Sequence, residues 1–132
     1  MDVTVLIDAS TKGNQRLADL ANRGLLDPKR ILTPAHILGT SQADIEDLFA
    51  PAEYLQLFNA AFGTSFSEAD IPGTDPITRR LARHLGHDFS HDRPATELLR
   101  NKIDILAKLG SDTLTRFERL FNAINATLSP PD

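Results

Sequence analysis

The sequence predicts an α/β fold in which two short parallel strands, joined through a helix as a βαβ unit, precede a mainly helical C-terminal half. Three observations carry this. Val3 to Ile7 is apolar and largely β-branched on both parities, the pattern of a strand buried on both faces. A second short apolar stretch, Ile31-Leu32, lies between Pro28 and Pro34. From Pro51 onward apolar residues recur three and four apart, punctuated by Gly and Pro, as helices require.

The first strand leads into a polar turn, Asp8 to Gly13, and then a helix. On that helix Leu17, Leu20, Ala21 and Gly24 share a face while Arg16, Asp19 and Arg23 look away, and Gly24 suits a C-cap. The second strand follows within Pro28 to Pro34. Pro51 opens a helix bearing Tyr54, Leu55, Phe58, Ala61 and Phe62, with Gly63 after it. Thr64 to Asp75 reads as a loop, and Pro76 opens a helix with Ile77, Leu81 and Leu85. Gly86 to Arg93 is a polar connector. One helix is expected from Pro94 to Leu109, stopped by Gly110. Ser111 then caps a last helix with Leu114, Phe117, Leu120, Phe121, Ile124 and Leu128 along one side. Two strands do not make an independently stable parallel sheet, so a partner strand is expected from upstream of Met1, from another chain, or as cover by a helix.

Composition excludes several classes. The 132 residues, 41% hydrophobic and 24% charged, suit one soluble domain. There is no cysteine, which removes disulfides, thiolate metal sites and cysteine nucleophiles and points to a cytoplasmic setting. No run of eighteen apolar residues suggests a membrane span. The net charge of −4 argues against nucleic-acid binding by the whole surface.

The charge is unevenly placed. Between Ile31 and Thr78 there is no Lys or Arg, but seven carboxylates: Asp44, Glu46, Asp47, Glu53, Glu68, Asp70 and Asp75. Asp44, Glu46 and Asp47 are framed by Ile45, Leu48 and Phe49, which anchor a turn and leave the acids to face water, a cation or a partner. Such a cluster suits a hard divalent cation; the competing reading is solvated surface. Asp8, at the carboxyl end of a strand, stands where ligands of parallel sheets bind, or caps its own turn. His84, His87 and His91 have metal-compatible spacing only on a single helix, which Gly86 and the polar connector argue against.

Taken in order, Val3 to Gly13, Ala43-Asp44-Ile45-Glu46-Asp47-Leu48-Phe49, His91-Asp92-Arg93-Pro94-Ala95, Arg116 to Phe121 and Ile124-Asn125 resemble the C-terminal portion of OLD-family (overcoming lysogenisation defect) nucleases. Those proteins pair an N-terminal ATPase with a C-terminal Toprim nuclease that acts on DNA with divalent metals. The resemblance implies a partial Toprim-like sheet. Residues 1–50 would be the second half of its βαβ core with the acidic loop, 51–128 a helical portion and 129–132 a tail, all one unit. It implies Mg²⁺ or Mn²⁺ as cofactor, with Asp8, Ser10, Asp44 and Glu46 as metal ligands. Ser10 stands where the family carries a second Asp, and the family's preceding Glu would lie upstream of Met1. The chain is therefore expected to be incomplete or inactive by itself. Its expected partners are DNA through the complete nuclease, the ATPase domain or upstream Toprim half, and a second copy. The rival reading is a non-enzymatic interaction or oligomerisation module without a metal site.

Lys102 completes the expected set. On a helix from Pro94 to Leu109 it falls within the stripe Ala95, Leu98, Leu99, Leu106 and Leu109. Either the ammonium snorkels to water or it points at the scissile phosphate, where the resemblance implies a catalytic Lys.

Overall fold

Ile31 and Leu32 are branched and apolar between two helix-breaking prolines, and they form the short strand that this pattern dictates. In the computed structural model, which describes residues 4–7 and 11–128, β1 (Val5–Leu6) and β2 (Ile31–Leu32) pair in parallel, Val5 opposite Ile31 and Leu6 opposite Leu32. The Ile7 N–H extends the ladder to the Leu32 carbonyl at 3.0 Å. Between the strands runs α1 (Thr11–Asn22). It begins earlier than the polar turn implied, taking Gly13 inside. Gly24 ends it at φ +72°, with its N–H on the Ala21 carbonyl and the Leu25 N–H on the Leu20 carbonyl. That bonding pair is a Schellman stop, which needs a residue without a Cβ penalty in the left-handed region. A 3₁₀ turn at Pro28–Arg30, capped by the Asp27 side chain, delivers the chain to β2.

The fold is thus mixed α/β, mostly helical, with a two-strand parallel sheet. The expectation that the first strand is buried on both faces is not met: Val5 is half-buried and Leu6 is 36% exposed. A sheet of two strands offers too little area to enclose both its faces.

The chain divides into two compact units. The first comprises Met1–Leu48 and Thr115–Asp132, so the last helix gives most of its length to the strands rather than to the helical portion. It holds the sheet, α1, α2 (Pro34–Leu38) and most of α7 (Ser111–Leu128). Thr33 caps α2 by accepting from the His36 N–H. The core here is small: Ile37, Leu48 and Leu120 are buried, with Leu38, Phe117, Ala123 and Ile124 against them. Thr127 donates its hydroxyl proton to the Ile124 carbonyl at 2.7 Å. It therefore accepts from the Thr4 hydroxyl, 2.5 Å away, and α7 is tied to the start of β1.

The second unit, Phe49–Leu114, is built on α3 (Pro51–Phe62), whose limits are those that Pro51 and Gly63 foretell. Around it lie α4 (Ile77–Leu85), α5 (Asp92–Arg100) and α6 (Lys102–Lys108). Tyr54, Leu55, Leu57, Phe58, Ile71, Ile77 and Leu81 form its core, and Phe49, Phe62, Phe66 and Phe89 are among the residues packed on it. This core is the larger of the two and, unlike the buried set of the first unit, includes aromatic side chains, Tyr54 and Phe58.

The single helix expected from Pro94 to Leu109 is two helices. Asn101 leaves helical geometry at φ −120°, ψ 31°, and its side-chain amide donates to Glu97 Oε1 at 2.7 Å. An Asn that bonds locally competes with helix continuation, which is why the break falls there. The stripe is rotated as a result: Pro94 is buried and Leu98 and Ile105 half-buried, whereas Leu99 is 73% and Ile103 80% exposed. Lys102 opens α6 and is exposed, not set among buried leucines.

Candidate functional site

Asp44 to Leu48 folds as a tight turn because its residues satisfy one another. Ile45–Leu48 is 3₁₀, with the Asp47 N–H on the Asp44 carbonyl at 3.0 Å. In return the Asp44 N–H donates to Asp47 Oδ2 at 2.8 Å. This is the returning half of a capping box, an acid three residues into the helix reaching back to the cap N–H. Leu48, fully buried, pins the turn to the core of the first unit, and Arg116 on α7 donates from Nε to the Leu48 carbonyl at 2.7 Å. Ile45 stays exposed.

The three acids therefore differ. Asp47 is engaged in shaping the turn. Asp44 is buried at 8% exposure, so of the alternatives water, a cation or a partner it does not face open water. Glu46 is half-buried. Asp44 and Glu46 are brought onto one turn of the first unit, while Lys102 belongs to the second unit. Asp8 and Ser10 lie outside the described residues. Among the described residues, no three His, Asp or Glu side chains gather as a metal-holding group.

The three histidines of the second unit go to separate neighbours. The His84 ring stands edge-on to Phe66 at 4.7 Å, His87 Nδ1 sits 2.8 Å from the Asp88 carbonyl, and His91 lies 4.7 Å from Phe89.

Three of the remaining acids also have partners within the second unit. Glu53 occupies the first turn of α3 and accepts the Gly110 N–H at 2.6 Å and the hydroxyl proton of Thr113. Thr113, fully buried, accepts the Ala50 N–H at 3.0 Å, so a relay runs Ala50 to Thr113 to Glu53. Asp70 closes a complete capping box with Ser67 around the 3₁₀ turn Glu68–Asp70. The Ser67 backbone N–H, first of all, holds the Asp70 carboxyl below its usual range; partial desolvation opposes this, and the Ser67 hydroxyl and the charge of His84 reinforce it. Asp75 pairs with Arg83 and turns its carbonyl to Arg80 Nε at 2.8 Å.

The sequence gives no warning of a cleft of about 430 Å³ in the second unit, between the C-terminal ends of α3 and α4 and the connector after Gly86. Phe58, Phe62 and Phe89 form its apolar wall, and Arg93, His87 and Asp88 its polar one. No family model, curated protein or solved structure matches the chain.

Proposed function

We propose that this chain is the C-terminal, Toprim-like part of a divalent-metal-dependent DNA nuclease of the OLD family. The observation that carries the reading is the acidic turn itself, which gathers Asp44 and Glu46 on one short segment of the first unit beside Asp47, whose carboxylate accepts the Asp44 N–H. The parallel order of β1 and β2 about α1 supports it, since Asp8 follows a parallel strand at the end where ligands of such sheets bind.

The donor set suits Mg²⁺ or Mn²⁺: it is carboxylate and hydroxyl oxygen, with no sulfur and no imidazole. A cation held there would neutralise the scissile phosphate and lower the pKa of a water nucleophile. The chain's own part is to present Asp8, Asp44 and Glu46 from a strand end and a rigid turn, with Ser10 as a neutral donor. Lys102, exposed at the start of α6, would act in the complete enzyme by stabilising charge on the phosphate. Because Ser10 is a weaker ligand than a carboxylate, the isolated chain is expected to bind metal weakly and not to cleave DNA.

Incubating the pure chain with supercoiled plasmid and Mn²⁺ should leave the plasmid intact. Calorimetric titration with Mn²⁺ should nonetheless show weak binding that Asp44→Asn and Glu46→Gln abolish. Unchanged binding by both variants would remove the metal site. Robust nicking that Asp44→Ala abolishes would keep the site and overturn the expected inactivity.

A second reading, a docking module, is favoured by one observation: Leu99, Ile103 and Leu106 are exposed, four and three residues apart, in the second unit. Self-association lost on Ile103→Lys, in a chain that binds no Mn²⁺, would select it.

A further inference from the structure

The α5–α6 segment of the second unit is apolar on two sides. Leu98 and Ile105 turn inward, half-buried against the core. Leu99, Ile103 and Leu106 do not: they are 73%, 80% and 48% exposed. Helical bonding carries on through the break, the Asn101 N–H to the Glu97 carbonyl at 3.1 Å and the Ile105 N–H to the Asn101 carbonyl at 3.0 Å. At about 100° per residue the three exposed residues therefore fall within a sector of roughly 60°, one stripe along the outside of α5 and α6. The core of this unit is formed without them. A stripe of large apolar side chains that its own unit does not bury marks a surface for a partner.

The order of residues along the stripe points to the kind of partner. Leu99 and Leu106 stand equally far on either side of a midpoint between Lys102 and Ile103. A two-fold axis through that midpoint sets Leu99 of one copy opposite Leu106 of the other, with the two Ile103 side chains together near the centre. One border of the stripe carries Arg100 followed by Asp104, both exposed. Reversing the chain direction brings Arg100 of each copy against Asp104 of the other. The opposite border carries Lys102 close to the axis, exposed, on a four-carbon stem that lets its ammonium reach water. A phosphate backbone or an anionic lipid surface calls for cations alone, whereas this rim sets an acid among its cations.

We propose that this chain pairs with a second copy of itself through the outer stripe of α5 and α6, as a two-fold dimer in which these helices run antiparallel. Leu99, Ile103 and Leu106 are its apolar centre, and Arg100 and Asp104 fix its register. Three apolar side chains from each copy make the centre of a small interface, below the roughly 800 Å² per partner of a stable complex. The dimer is therefore weak, with a Kd on the order of 100 µM. The proposal rests on the docking reading, for which it names the partner, and uses none of the carboxylates of the acidic turn.

The test is sedimentation equilibrium of the whole chain from about 10 µM to about 1 mM. A reversible monomer–dimer equilibrium is expected, and Ile103→Lys should leave a monomer. Arg100→Asp and Asp104→Arg should each weaken the dimer by roughly tenfold, since each turns two attractions into repulsions. Mixed in equal amounts, these two variants should associate again, because every contact between positions 100 and 104 is then of opposite sign. All three positions are exposed, so the variants should melt near the wild type. Should Ile103→Lys fail to fold, the mixing result decides. A monomer throughout the range would overturn the second copy as partner and leave the docking reading to a different protein. Self-association that Ile103→Lys leaves unchanged would overturn the stripe as the interface, and the docking reading with it. Association on mixing no tighter than that of either variant alone would overturn the two-fold arrangement.

Discussion

Two turns in this molecule are built on the same device and serve to calibrate each other. In Asp44–Leu48 and in Ser67–Asp70 an Asp three residues past the cap returns its carboxylate to the cap N–H, Asp47 to Asp44 and Asp70 to Ser67. The second turn manages with an exposed serine at the cap and is fully satisfied. The first places a second carboxylate, Asp44, at the cap and buries it, then adds Glu46 beside it. Ser and Asp both serve at such a cap, and in each turn one returning acid closes it. The comparison separates the acids of the Ile31–Thr78 window that close a turn on its cap N–H, Asp47 and Asp70, from Asp44, which holds the cap position that Ser67 holds in the other turn.

Glu53 extends the series and offers the largest expected effect. It too sits in a first turn, but it spends its oxygens on Gly110 and Thr113. Thr113→Val keeps the shape and removes the relay, leaving the Ala50 N–H without its acceptor. A loss of about 2 kcal/mol is expected in denaturant unfolding. A loss below a few tenths would show that this relay does not hold the start of α3 to the start of α7.

The next contrast is inside the first turn. Asp47→Asn weakens the acceptor for the Asp44 N–H and should cost about 1 kcal/mol. Asp44→Asn should cost less stability than that while affecting metal binding more. Melting curves and Mn²⁺ titrations on the two variants read both axes, and the reverse ranking would dissolve the distinction between the two acids.

The smallest effect belongs to the reference turn. Asp70 has its carboxyl lowered in the folded state, chiefly by the Ser67 N–H. The folded chain thus binds this proton less readily than the unfolded one. The stabilisation is fully present above the ordinary carboxylate pKa and is lost as pH falls through the lowered one. The wild type should be more stable than Asp70→Asn at neutral pH, and the gap should close on acidification below about pH 4. A gap constant with pH would mean that the charge contributes nothing.

Much of the second unit was legible because its punctuation is local. Pro51 and Gly63 bound α3, and Pro76 and Gly86 flank α4, since proline and glycine act through their own backbone. The break at Asn101 was not legible, because periodicity alone joins Ala95 to Leu109 and the deciding bond is one side chain to Glu97. That error misplaced Lys102. The burial of Asp44 was also hidden: the apolar frame of Ile45 and Leu48 is symmetric in sequence, yet only Leu48 turns inward. The aromatic cleft escaped notice because Phe62 and Phe89 are far apart in sequence and Phe89 belongs to no periodic stripe.

The most direct test of the central claim sets the two acidic turns against each other in one sample. Backbone amide spectra of the chain are recorded as Mn²⁺ is added in small steps. Paramagnetic broadening should appear first at Asp44, Ile45 and Glu46 and leave Ser67 to Ile71 sharp, and Asp44→Asn should abolish it. Equal broadening at both turns, or at neither, would contradict the assignment of Asp44 and Glu46 to a metal.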